Sequence, residues 1–138
     1  MSKKDERSNQ QALNQLESIR GMIKDLRDAE EVEDYTAIEK AQERILESPL
    51  SVQVRSGWVN CKEDMEPEEF NILLCTGGPA VRITGEINDS GEPDNPVLEH
   101  QDWFEPWKEV NTYWALGDAA EAAEEDLAAY CQQFYFGE

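Results

Sequence analysis

Basic side chains are scarce in this 138-residue chain. Twelve Lys plus Arg stand against 31 Asp plus Glu, for a formal net charge of −19. A protein that grips phosphates needs the opposite excess, so the balance argues against direct nucleic-acid binding and against anionic membrane surfaces. Long apolar runs are missing too. No stretch nears the roughly 18 apolar residues that span a bilayer, and the opening Met1-Ser-Lys-Lys-Asp-Glu-Arg7 lacks the apolar stretch of a signal peptide. The chain therefore reads as cytosolic. Cysteine is sparse: Cys61, Cys75 and Cys131 are odd in number and widely spaced, which fits reduced thiols and no disulfide framework. Histidine occurs once, as His100, and the sequence holds no enzyme motif.

What is present argues for a folded core. A high net charge alone would suggest disorder, but disordered chains are poor in aromatics, and this one has four Trp, four Tyr and four Phe. The acidity is not uniform. Residues 1–27 hold six basic and four acidic side chains, residues 28–47 two and eight, and residues 48–138 four and nineteen. The length allows one domain with a helical arm or hairpin over 1–48 and an acidic α+β domain over 49–138.

Residues 1–8 are polar and read as frayed. From Asn9 to Glu31, Leu13, Leu16, Ile19, Ile23 and Leu26 recur every three or four residues, a narrow helical stripe resembling a coiled-coil seam. A second helix is expected over Tyr35–Glu47, with Asp34 as N-cap and Ser48-Pro49 as its stop. The two would form an antiparallel hairpin. Beyond Pro49 the period becomes two. Leu50, Val52 and Val54 alternate with polar residues in a half-buried strand, and residues 60–69 form an acidic loop. Phe70–Cys75 is an apolar central strand, Thr76-Gly-Gly-Pro79 a hairpin turn, Ala80–Ile87 its return strand, Asn88–Asn95 a polar turn and Val97–Trp103 a further strand. Trp107–Trp114 is a strand or an irregular segment. A helix over 118–127, capped by Asp118, and a last strand over 129–136 complete the reading. The expected class is α+β: a helical hairpin, an antiparallel sheet of four or five strands and a C-terminal helix.

The candidate chemistries are thin. The glycine turn opens no helix and is followed by no Lys-Ser/Thr, so it is no phosphate loop. The three cysteines and His100 lack the short knuckle spacing of a structural zinc site. His100 and Asp102 would share a strand face and could orient a cysteine nucleophile, but no spacing assigns one; otherwise His100 is a strand-surface residue. Asp89, Glu92 and Asp94 lack EF-hand order, so the loop reads as a solvated turn and not a calcium site. No catalytic residue, cofactor or metal is assigned. Trp103, Phe104 and Trp107 gather around a proline; burial is the commoner fate of large aromatics and favours the core, with an exposed binding surface as the alternative.

The acids remain. A charge of −19 exceeds the magnitude of roughly 2–8 that solubility asks of a small domain, and such charges repel in a compact fold. Carboxylates spaced along strands and helices can mimic a phosphate backbone and occupy a basic channel built for DNA or RNA. Three patches are candidates for partner binding: Glu63, Asp64, Glu66, Glu68 and Glu69; then Glu99, Asp102, Glu105 and Glu109; then Glu121, Glu124, Glu125 and Asp126.

The stretches Leu50-Ser-Val-Gln-Val-Arg-Ser-Gly-Trp58, Glu66-Pro-Glu-Glu-Phe70, Leu73-Leu-Cys-Thr-Gly-Gly-Pro-Ala-Val-Arg-Ile83, Gln101-Asp-Trp103 with Pro106-Trp107, and Tyr130-Cys-Gln-Gln-Phe-Tyr-Phe-Gly137 together resemble a family of small acidic bacteriophage, prophage and plasmid proteins. The likeness covers about residues 40–138. It carries over no catalytic residue and implies a mobile-element origin and the cytoplasm of a bacterial host. The expectation is a non-enzymatic inhibitor of a host defence nuclease, of the anti-CRISPR or anti-restriction kind. Its partner would be a basic nucleic-acid-binding protein or CRISPR effector complex, engaged by nucleic-acid mimicry. The alternative is a phage accessory or structural protein that forms a homodimer through residues 9–31.

Overall fold

The computed structural model describes residues 3–136, with side chains from Glu6 onward. Helix α1 (Lys3–Glu31) is 29 residues long, about 44 Å at 1.5 Å per residue. The chain reverses through Glu33, whose φ is 56°, into α2 (Tyr35–Glu47). Asp34 caps α2 as expected, its carboxylate accepting from the Ala37 N–H at 3.1 Å. Five antiparallel strands follow in chain order: β1 (Ser51–Arg55), β2 (Glu69–Cys75), β3 (Ala80–Ile87), β4 (Pro93–Gln101) and β5 (Lys108–Glu109). A short α3 (Thr112–Leu116) and a 3-10 turn lead into α4 (Ala120–Cys131). The α+β class, with two N-terminal helices, a five-stranded antiparallel sheet and a C-terminal helix, stands as expected.

The sheet is two-sided. Phe70, Ile72 and Leu74 of β2, Val81 and Ile83 of β3 and Leu98 of β4 point to one face and are buried. Onto that face pack α1, which touches β3, β4 and α4, and α4, which touches β4. From α1 come Ala12, Leu16, Ile19, Ile23 and Leu26; from α4, Leu127, Tyr130 and Cys131; all join the sheet and Ile45 of α2 in one core. Gln53, Asn71, Thr84, Arg82 and Glu99 point to the opposite face, away from the helices that pack on the sheet among the described residues.

Gly85 sits directly across from Phe70. A Cβ there would come within 2.5 Å of the Phe70 ring and 2.8 Å of the Asp94 carbonyl, so glycine is what lets that ring lie flat on the sheet and stack on Phe136 at 4.8 Å. Gly85→Ala is expected to cost about 2 kcal/mol through overpacking, read as a lowered urea midpoint with unchanged slope.

Several expectations are corrected. Residues 3–8 are helical, not frayed, because Ser8 is buried against His100 and Arg7 pairs with Asp102. Those polar anchors leave no apolar period to read. The reading of residues 1 and 2 lies outside the described residues. Leu50, Val52 and Val54 are exposed, because β1 is an outer strand that the helices do not reach. Strand β4 begins at Pro93, inside the expected turn. Strand β5 reaches only Glu99 and His100, so β4 before them is an edge, where proline is tolerated. Of Trp107–Trp114, Lys108–Glu109 is strand and Thr112–Leu116 helix. The expected strand over 129–136 is absent: α4 runs to Cys131, followed by turns. Helical spacing groups Leu127, Tyr130, Cys131 and Phe134 inward, and their burial decides the contest. Asp118 does not cap α4; Ala119 holds that position without a side-chain bond, after the 3-10 turn Gly117–Ala119.

Candidate acidic interface

In an antiparallel meander, the β1–β2 and β3–β4 connections fall at the same end of the sheet. Residues 56–68 and 88–92 therefore meet there, and the Ile87 N–H donates to the Glu68 carbonyl at 2.8 Å to tie them together. Register does the rest. Glu69 lies opposite Glu86, and Glu86 opposite Asp94. Three carboxylates thus stand side by side across three strands, about 4.8 Å apart per strand. Around them are Glu63, Asp64, Glu66 and Glu68 in one loop and Asp89 and Glu92 in the other turn, all exposed. Asn88 shapes that turn: its Oδ1 accepts from the N–H groups of Ser90 and Glu92 at 2.9 and 3.0 Å, and Gly91 takes a φ of 81°.

Only Arg55 and Lys62 bring positive charge to these segments. Arg55 forks onto Glu69 with bonds of 2.8 and 3.0 Å. That bond lowers the Glu69 pKa from its ordinary value and raises that of Arg55. Like charges directly opposed across strands destabilise a sheet. Glu86→Gln is therefore expected to raise stability by about 0.5 kcal/mol, with the gain shrinking as salt screens the row. Thermal melts at two ionic strengths measure it.

The other expected patches divide. Glu99 is half-buried and accepts from Arg82 at 2.8 Å and from Thr84 at 3.1 Å; Glu109 sits opposite it on β5. Asp102 is 1% exposed and accepts from Arg7 at 3.0 Å and from the Trp103 N–H at 2.8 Å. Asp126 is likewise buried, bonded to Arg20 at 3.0 Å and Arg27 at 2.6 Å. Asp102 and Asp126 are thus clamps between α1 and the rest of the fold, and present no charge to a partner. Glu105 is half-buried, Glu124 accepts from Thr112 at 2.6 Å, and Glu121 and Glu125 are exposed along α4. The structure gathers the 63–69 acids and adds four that the sequence places in a solvated turn or at a strand end: Glu86, Asp89, Glu92 and Asp94. The signal that could have found them is the meander itself.

His100 is buried, its Nδ1 2.7 Å from the Ser8 hydroxyl, and is not a strand-surface residue. Cys61 is exposed, Cys75 half-buried and Cys131 buried. Among the described residues no three His, Cys, Asp or Glu side chains are placed to hold a metal ion, and no helix is long and apolar enough to cross a membrane.

The aromatics depart from expectation. Trp103 is 57% exposed and Phe104 98%; Trp107 is half-buried, with Arg82 lying 4.0 Å over its ring. Trp103 is not lost to solvent entirely, since a Cβ at Gly78 would meet its Nε1 at 3.1 Å. Trp58, in the acidic β1–β2 loop, is fully exposed. Tryptophan is among the residues that dominate binding hot spots. The stripe on α1, by contrast, is spent: Leu16, Ile19, Ile23 and Leu26 are buried in the chain's own core and Leu13 packs against it, so they offer no seam to a second copy. Beside that helix lies a cleft of about 840 Å³, where Arg20, Lys24 and Arg27 face Glu17, Asp28 and Asp126. Its positive charges are already engaged: Arg20 and Arg27 share Asp126, and Lys24 bonds Asp28 at 2.8 Å. No protein-family model, no curated protein and no solved structure matches the chain.

Proposed function

We propose that the chain is a phage-encoded inhibitor of a bacterial defence nuclease complex, a CRISPR effector above all. It binds a Lys/Arg-lined nucleic-acid site through the acidic end of its sheet and keeps target DNA out. The observation that carries this reading is the registered row Glu69, Glu86 and Asp94 with the loop acids around it. The fold bears like charges in direct opposition, which costs stability, and their spacing of about 4.8 Å from strand to strand is of the same order as the rise of about 3.4 Å per phosphate on each DNA strand. Trp58 supplies an apolar anchor in the same loop. The resemblance to small acidic mobile-element proteins points the same way. The alternative, self-association through the helical hairpin, loses support from the burial of its stripe.

The test mixes the purified chain with candidate effectors and restriction enzymes and measures target-DNA binding. Inhibition should weaken steeply with salt. The combined substitutions Glu63→Gln, Asp64→Asn, Glu66→Gln and Glu68→Gln should abolish it without lowering the melting temperature, and Trp58→Ala should weaken it. If no defence complex loses DNA binding or co-purifies from a host that carries it, the reading fails.

A further inference from the structure

Strand β1 ends the sheet, and no described strand pairs its outer edge. Which of its backbone groups are free follows from its neighbours. The Ile87 N–H bonds the Glu68 carbonyl, which turns the even residues of β2 toward β3. The odd ones, Glu69, Asn71 and Leu73, turn toward β1, where they meet Arg55, Gln53 and Ser51. The Leu73 carbonyl accordingly accepts from the Leu50 N–H at 2.8 Å, and the Arg55 carbonyl, also turned inward, accepts at 2.9 Å from the N–H of Glu68, the irregular residue just ahead of β2. Val52 and Val54 therefore point their N–H and C=O groups outward.

Natural edges are blunted by proline, lysine, a bulge or a covering loop. Within Ser-Val-Gln-Val-Arg there is no proline or lysine, the register with β2 is unbroken from Ser51 to Arg55, and Val52 and Val54 are 38% and 44% exposed, beside an exposed Leu50. Its central Val-Gln-Val is also symmetric about Gln53. A two-fold axis at Gln53 sets Val52 against Val54 of a second copy, and Val54 against its Val52. These are the residues whose backbone groups are unspent, so both become hydrogen-bonded pairs and all four groups are satisfied on each strand. The four valines then share one face, and Gln53 meets Gln53 on the other. A two-fold interface demands such self-complementarity.

We propose that β1 is a homodimerisation edge, joining two copies antiparallel in the Gln53–Gln53 register into one ten-stranded sheet. The inference stands apart from the proposed inhibition. Its surface is different, and the dimer holds the two acidic ends at opposite ends of the sheet. Salt distinguishes the two: screening of −19 on each copy favours the dimer, whereas it weakens binding to a basic partner.

Sedimentation equilibrium of the full chain should show a concentration-dependent rise from 15.8 kDa toward twice that mass, stronger at high salt. Val52→Pro removes an outward N–H and leaves the bonds to β2 intact, so it should abolish the dimer while keeping the far-UV spectrum. A non-hydrogen-bonded antiparallel pair lies about 4.5 Å apart at Cα, within disulfide reach. In a Cys61→Ser background, Gln53→Cys should therefore cross-link on oxidation, and Ser51→Cys, which faces Arg55 of the second copy, should not. A mass fixed at the monomer across concentration, a dimer that survives Val52→Pro, or cross-linking at Ser51→Cys but not Gln53→Cys each overturns the proposal. Capture of a strand from another protein in place of the second copy overturns it as well.

Discussion

Replacing Tyr130 with alanine is expected to cost about 4 kcal/mol, the largest loss from any single side chain here. Tyr130 is fully buried near the end of α4. Its ring meets Phe134 edge-on at 5.2 Å, and its hydroxyl lies 2.6 Å from the Ser48 hydroxyl, at the C-terminus of α2. One side chain thereby links the C-terminal helix to the helical pair. Tyr130→Phe separates the two contributions. It keeps the ring and loses one hydrogen bond, while the Ser48 hydroxyl retains its bond to the Ile45 carbonyl at 2.6 Å; about 1 kcal/mol is expected. Urea unfolding followed by circular dichroism measures both. Equal losses for the two variants would show that the ring is no anchor.

The helices and central strands were legible where one physical signal dominated. Tyr35–Glu47 is helical to the residue because an apolar face, an aspartate cap and a proline stop agree. Phe70–Cys75 is apolar, and helices bury one of its faces. Legibility failed where a tertiary partner decides. Ser8 and Arg7 hold the first turns of α1 through His100 and Asp102, more than 90 residues away. Val52 and Val54 alternate like a half-buried strand, yet the core stops short of β1. The end of the chain fitted either period until α1 gave Tyr130 and Cys131 something to pack against. At the candidate site, acidity was plain but its arrangement was not. Composition counts Asp102 and Asp126 with every other carboxylate, though both face arginines on α1. Only strand order brings Glu86 and Asp94 beside Glu69.

Stability is expected to fall steeply above about pH 9, by about 4 kcal/mol at pH 11. The cause is the pair of neighbouring acids at the end of α4. Burial pushes the Cys131 thiol from 9.0 up to about 12. Burial also pushes the Tyr130 phenol from 10.0 up to about 12, against a lowering by the Ser48 bond, with Cys131 adding to the rise. Both groups fold in their neutral forms. Below pH 9 the unfolded chain keeps both protons as well, so the full stability is present. Between pH 9 and 12 the unfolded chain releases them while the folded chain does not, so each step in pH favours unfolding, until the folded groups ionise near 12. Cys131 carries the larger share because its thiol starts lower, at 9.0 against 10.0 for the phenol, and both are pushed up to about 12. Cys131→Ala should lower stability at pH 7 by leaving a small void in the core, yet flatten the alkaline limb by more than half. Urea midpoints taken from pH 7 to 11 read both effects. An unchanged alkaline slope in Cys131→Ala would assign the loss to general repulsion among the −19 charges, and a slope that also ignores Tyr130→Phe would remove the α4 pair from the account.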